Sequence, residues 1–327
     1  MRVTAIYTYP IKALRGIRLD EARLGPQGIE HDRRFMLCRV EPDGQLRNVT
    51  LAGNPQCALF AQDVVGPDIH VRYLAPHPPV VPPHPHQDSV LRVPLRPDVA
   101  ALPKVHVNLH QSLVDAHRMG SPYDDWFAAC FGFPMALIFI GDERRPILGT
   151  FAPQPPAGTR PGPPPWLAFS DVAPLLFASE QSLRNVSARL SGGTMDMVKF
   201  RPNIVVDGEA EFDEDYWADL SVHGEPAFTL TKMCCRCSSI NVDYDTGRLA
   251  QGDDGIVLKK LMADRRVDLG YKYSPVFGKY GFLAPGRDCL TLRVGDPVAV
   301  ESRSLERPVC DWPLKSKSDA RFYQYSA

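Results

Sequence analysis

In the opening stretch MRVTAIYTYPIKALRG, Val3, Ala5 and Tyr7 fall on alternate positions, a period of two that predicts a strand. Short runs of strand character recur over residues 2–9, 34–40, 69–73 and 90–93, punctuated by turn sequences such as EPDG at 41–44. The first third of the chain is therefore expected to be β-rich. SPYDDWFAACFG at 121–132 changes the period. Ser121 is a candidate N-cap, Pro122 suits the first helical position and two acids fill the first turn, so a helix is predicted there. Leu183, Val186 and Leu190 share one face of a second predicted helix over 179–190. Strands are predicted again at 203–206, 227–230 and 290–294, and VGDPVAV at 294–300 reads as a closing turn and strand. Strands and helices do not alternate regularly, which argues against a doubly wound parallel sheet and for a β-rich α+β fold.

Proline interrupts these patterns twice. APHPPVVPPHPH (75–86) and PQPPAGTRPGPPP (153–165) lack any apolar period and read as surface loops of polyproline character. The second run divides the chain in two. The expected organisation is a first domain over 1–145 with one helix, a Pro-rich linker over 146–166, a second domain over 167–302 and a tail over 303–327. His77, His84 and His86 lie in the first run, where a metal site would lack supporting contacts.

Composition narrows the function classes. The 327 residues suit two domains, and 37 basic against 38 acidic residues leave no excess charge for binding a nucleic-acid duplex. No stretch approaches the 18 apolar residues of a membrane span, and the N-terminus lacks a signal-peptide core, so a cytoplasmic protein is expected. Eight cysteines are too few and too unevenly spaced for a disulfide scaffold. Cys38, Cys57, Cys130 and Cys289 sit among apolar neighbours and read as small buried hydrophobes.

CCRCSSINVDYDTG (234–247) is different in kind. Its Cys234 and Cys237 form a CxxC with three readings. A zinc site needs two further ligands, and neither a second CxxC nor an HxxxH is present. A redox dithiol wants a strand feeding a helix N-terminus in a βαβ context, which the pattern does not supply. A single soft thiolate could instead hold a metal-containing cofactor, with Arg236 adding positive charge beside it. Spacing alone does not choose among them. Both GxGxxG and GxxxxGK[ST] are absent, so no phosphate loop is predicted.

YPIKALRG (9–16), DRRFML (32–37), FSDVAPLLFASEQSL (169–183), FRPNIVVDG (200–208), CCRCSSINVDYDTG (234–247), SPVFGKYG (274–281) and VGDPVAV carry a resemblance. In this order they are similar to the MOSC proteins with an N-terminal MOSC β-barrel, the family of the mitochondrial amidoxime-reducing component. The resemblance implies a β-barrel-like first domain packed against a MOSC β-barrel. It also implies a molybdenum cofactor with Cys237 as the metal's protein ligand and catalytic thiolate. Cofactor anchoring is implied at Lys12, Arg33, Arg201, Asn203, Cys235, Arg236 and Tyr280. The activity implied is reduction of small N-hydroxylated compounds, amidoximes or hydroxylamines. Electrons would come from an external haem, flavin or iron–sulfur carrier, since the tail, with Cys310 alone, has no cluster ligand set. Ala13, Val172 and Ala173 stand where the family often has hydroxyl residues, and TLAG (50–53) lacks a family arginine. A repurposed enzyme without molybdenum, or a non-catalytic molybdopterin or sulfur carrier, is the alternative on those grounds.

Overall fold

The computed structural model describes residues 1–153 and 165–312. The expected linker over 146–166 and the tail over 303–327 thus lie partly outside the described residues, and the second proline run almost wholly so. The first proline run lies on the surface as expected, with only Val80 and Val81 packed against the core.

Strands dominate. An eight-stranded sheet runs in the order Ile17–Leu19, Val3–Thr8, Ile204–Val206, Leu175–Ser179, Val276–Leu283, Glu225–Cys235, Trp217–Val222, Val298–Arg303. It is antiparallel except for Leu175–Ser179 beside Ile204–Val206, where the connection runs through the helix Glu180–Ala188. The ends of the sheet approach each other at the chain's N-terminus, where Val3 N donates to Asp296 O at 3.0 Å and Val298 N to Met1 O at 2.8 Å. This nearly closes a barrel and satisfies edge groups that would otherwise face solvent unpaired. The opening strand of the chain is therefore part of a sheet built mostly from the later half.

A five-stranded sheet forms the body of the earlier half: Lys104–Leu109, Ser112–Arg118, Met135–Phe139, Phe35–Val40, Leu46–Asn48. Strand Phe35–Val40 is buried on both faces, with Phe35 and Leu37 in one apolar cluster and Met36 and Cys38 in another. A smaller sheet of Phe60–Val65, Asp68–Tyr73 and Leu91–Pro94 completes the core under the helix Tyr123–Phe131.

The predicted strands and both predicted helices occur, with two differences in detail. Pro122, not Ser121, occupies the N-cap, and the Ser121 hydroxyl donates to Asp125 Oδ2 at 2.6 Å instead of capping the backbone. The helix stops at Gly132, whose φ of 78° suits a residue without a β-carbon. The other difference is Cys289, which is exposed, because it sits in the turn after Leu283 instead of in a packed strand. Cys38, Cys57 and Cys130 are buried as expected. Among the described residues, no helix is long and apolar enough to cross a membrane.

One buried carboxyl makes stability depend on pH. Glu214 is fully buried; Ser179 and Ser182 hydroxyls donate to its Oε2 at 3.2 and 2.8 Å, while its Oε1 has no partner among the described residues. Burial pushes its carboxyl up to about 7, against the pull of the serine bonds. Below the ordinary carboxyl range both folded and unfolded chains are protonated here, so the group contributes nothing. As pH rises toward 7 only the unfolded chain ionises, and the folded state loses up to about 3 kcal/mol. Glu214→Gln should therefore stabilise the protein more at pH 8 than at pH 4 in urea unfolding. An equal effect at both pH values would refute this assignment.

Candidate functional site

One cavity of about 250 Å³ is lined by Lys12, Arg33, Arg201, Asn203, Cys235, Arg236, Cys237 and Tyr280, all eight residues singled out from the sequence. Six of them lie in loops and turns from both halves of the chain, while Cys235 ends the strand Glu225–Cys235 and Tyr280 lies within Val276–Leu283. Asp171 is the one acid among the lining residues, set against four cationic side chains, so the cavity attracts anions.

Each cation is held by named partners. Lys12 is 8% exposed and donates to Phe169 O at 2.9 Å and to Asp171 Oδ1. Burial lowers its pKa, partly offset by the Asp171 carboxylate. Arg33 donates through Nη1 to Asp32 Oδ2 and to Asn203 Oδ1, the latter at 3.0 Å. Arg201 donates through Nη1 to Leu14 O at 2.8 Å. Both guanidinium carbons lie 4.4 Å from the centroid of the buried Tyr9 ring. The negative face of an aromatic ring attracts cations, which offsets part of the repulsion between these two like charges. Arg236 donates to Cys234 Sγ at 2.9 Å and Phe200 O at 2.8 Å, but its buried Nε has no partner among the described residues.

The backbone at this site is strained. Ala13, Arg33, His110 and Arg201 line the cavity with φ of 73°, 48°, 54° and 55°. A left-handed conformation costs a non-glycine residue about 1 kcal/mol, and such residues concentrate where function needs a set geometry. At Arg201 it follows the short turn Met197–Phe200 and turns the side chain back toward Leu14.

The three cysteines differ in what they can do. Cys234 is buried, accepts from Arg236 and donates to the Tyr280 hydroxyl at 3.2 Å. Cys235 is half-buried. Cys237 alone of the three is exposed, at the head of the turn Ser238–Asn241, with Ser239 Oγ at 3.2 Å. Among the described residues no group of three or more His, Cys, Asp or Glu side chains could hold a metal ion, which leaves the zinc reading without a ligand set there. The dithiol reading is weakened too, because Cys234 is engaged with Arg236 and Tyr280 and only Cys237 is open.

Asn203 has a different place from the others. Its amide is fully used: Oδ1 accepts from Leu176 N and Arg33, and Nδ2 donates to Tyr7 O at 3.1 Å and Asp32 Oδ2 at 3.3 Å. Its side chain positions Arg33 and the strand ends. Sequence reasoning missed Tyr9, Asp32, His110, Ser170 and Asp171. Tyr9 and Asp32 are the first residues of YPIK and DRRF, which was the available signal. His110 had none, since it sits at the hairpin turn between Lys104–Leu109 and Ser112–Arg118 and meets Asp171 Oδ1 at 3.2 Å only in the folded chain. The methyls of Ala13, Ala52 and Ala173 also line the cavity.

The donor set fits a phosphorylated cofactor carrying a soft metal. Buried cations face the cavity, the Arg236 Nε and the buried Ser170 hydroxyl are without partners among the described residues, and one thiol stands open beside them.

Residues 164–299 match the MOSC domain and residues 1–134 match the MOSC N-terminal beta barrel domain. Mitochondrial amidoxime-reducing component 1 of Homo sapiens is 27% identical over 311 residues, covering 90% of this chain and 82% of the relative. Mitochondrial amidoxime reducing component 2 of Rattus norvegicus is 37% identical over 133 residues, 40% of this chain and 38% of the relative. Molybdenum cofactor sulfurase of Oryza sativa subsp. japonica is 30% identical over 155 residues, 40% of this chain and 17% of that protein.

Proposed function

This chain belongs to the MOSC proteins that carry an N-terminal MOSC β-barrel domain, and from that premise we propose a molybdenum-cofactor oxidoreductase that reduces small N-hydroxylated compounds. The observation that carries the reading is the convergence of Lys12, Arg33, Arg201 and Arg236 on the one cavity that Cys237 opens into. Relatives named amidoxime-reducing component support the reaction class.

When bound, the molybdenum cofactor would supply two-electron chemistry at an N–O bond, so that a hydroxylamine, two electrons and two protons give an amine and water. The chain's own residues do the rest. Arg201 and Arg236 keep donors open toward the cavity for a pterin phosphate, and Lys12 adds a point charge. Cys237 offers the only exposed thiol of its cluster as metal ligand. The pair of Asp171 and His110 at the rim can hold and pass a proton toward the substrate. Electrons arrive from a separate carrier, a haem, flavin or iron–sulfur protein. A reducing compartment suits the eight free thiols.

A second reading is favoured by one observation. Ala13 and Ala173 line the cavity with methyl groups where hydroxyl donors would help hold a phosphate, which suits a repurposed fold or a carrier that binds cofactor without turnover. The test is molybdenum and pterin content of protein from a cofactor-competent host, with benzamidoxime reduction driven by a reduced dye. We expect about one molybdenum per chain, turnover with the dye and none with NADH alone, since no dinucleotide fingerprint is present. Protein without molybdenum would move the assignment to the repurposed fold, and loaded protein without turnover to the carrier.

A further inference from the structure

The described end of the chain returns to the wall of the cavity. Leu305 and Val309 are exposed there, at 100% and 44%, yet Cys310 and Trp312 are buried at 6% and 4%. They pack with Phe151, against Tyr271 and Tyr280. Lys232 Nζ donates to Val309 O at 2.8 Å, and the Trp312 indole donates to His110 O at 2.7 Å. Gly270 permits the approach, since a β-carbon there would lie 1.8 Å from Cys310 O. Asp268 fixes the position, because its Oδ1 accepts from Cys310 N at 3.0 Å and from Gly270 N at 2.8 Å.

Cys235 reaches the same carboxylate from the other side. It ends the strand Glu225–Cys235, lines the cavity, and places its thiol 4.0 Å from Asp268 Oδ2. The Cys310 thiol donates to Trp312 O at 3.3 Å and lies within electrostatic reach of the Cys235 thiol. One buried carboxylate thus holds the backbone of Cys310 and the thiol of Cys235 together, from segments far apart in the chain. The cavity gives small solutes a path to the half-buried Cys235.

We propose that Cys235 and Cys310 are a redox pair, which a peroxide-class oxidant converts to a disulfide tying the end of the described chain to the cavity wall. The Cys235 sulfur, which the cavity reaches, attacks the peroxide O–O bond, forming an S–O bond and releasing hydroxide. The Cys310 sulfur then displaces the sulfenic oxygen as water, forming the S–S bond. Two electrons pass from the thiols to the peroxide, and their two protons end in two waters. A thiol reductant reverses the step. Nothing in this inference depends on molybdenum.

The test uses the full chain, treated with a small excess of hydrogen peroxide, alkylated to block remaining thiols, and mapped by peptide mass. A Cys235–Cys310 linked peptide is expected, lighter by two hydrogen atoms than the reduced pair and lost on adding dithiothreitol. In Cys310→Ser the link should vanish and Cys235 should become alkylated or oxidised singly, and Cys235→Ser should leave Cys310 unlinked. Limited proteolysis after Leu305 should slow in the oxidised wild type and not in either variant. Cys235 linked to Cys234 or Cys237, or both thiols alkylated after treatment, would overturn the proposal. These readouts register the bond itself, so they separate its failure from failure of the reductase reading.

Discussion

Replacing Cys237 by serine is expected to lower N-reduction more than about a thousandfold while leaving the unfolding midpoint unchanged. The residue is exposed, and its only side-chain partner among the described residues is Ser239, so the fold loses little; surface changes of this kind stay within about 0.5 kcal/mol. The loss falls on the proposed metal bond, because a hydroxyl of similar size is a harder donor and stays protonated near neutral pH. Cys234→Ser tests the alternative. That thiol links Arg236 to Tyr280 inside the wall, so its replacement should cost about 1 kcal/mol of stability and only part of the activity. Cys235→Ser should be similarly mild in reduced protein. Molybdenum content, dye-driven rate and urea midpoint across the three variants separate the readings. Equal loss at Cys234 and Cys237 would return the dithiol reading, and near-native activity of Cys237→Ser would end the metal-ligand assignment.

Asp32→Ala should be the most damaging single change to stability at the site, by about 3–5 kcal/mol. Asp32 is 3% exposed and accepts from four groups: Arg33 Nη1, Asn203 Nδ2, Tyr9 N at 2.7 Å and Thr8 Oγ1 at 3.3 Å. Removing the carboxylate leaves the Arg33 guanidinium without its counter-charge and Tyr9 N without an acceptor, with Arg201 held over the same Tyr9 ring. Retention of bound pterin should fall with it, since Arg33 loses the bond that aims it. Asp32→Asn keeps an acceptor and should cost less than the alanine variant. Urea unfolding of the two variants, with pterin content, is the measurement; a loss below 1 kcal/mol for alanine would show that Asp32 does not hold this corner together.

Local patterns in the sequence carried the elements and much of the site. The alternation of Val3, Ala5 and Tyr7 foretold Val3–Thr8, and FRPNIVVDG foretold Ile204–Val206, but neither showed that these strands pair with each other, as Val3 with Val206. MALIF at 135–139 shows no period because strand Met135–Phe139 is buried on both faces, so alternation could not announce it. The cations Lys12, Arg33, Arg201 and Arg236 could be named because their motifs, taken together and in order, carry the family resemblance. Their convergence could not be read locally, since Arg33 meets Asn203 across 170 positions.

The sequence by itself determined the kinds of element, their turns, and the soft-donor cluster at Cys234 to Cys237, because these follow from contacts between near neighbours and from the two periods of helix and strand. Only the tertiary structure decided which of three thiols stays open, how one tyrosine ring gathers two arginines, and why a hairpin turn places His110 beside Asp171. It also decided that Cys235 and Cys310 share a carboxylate. Those outcomes depend on sheet register and on closure of the barrel between Val3 and Asp296, where one residue of slip would turn every side chain to the opposite face.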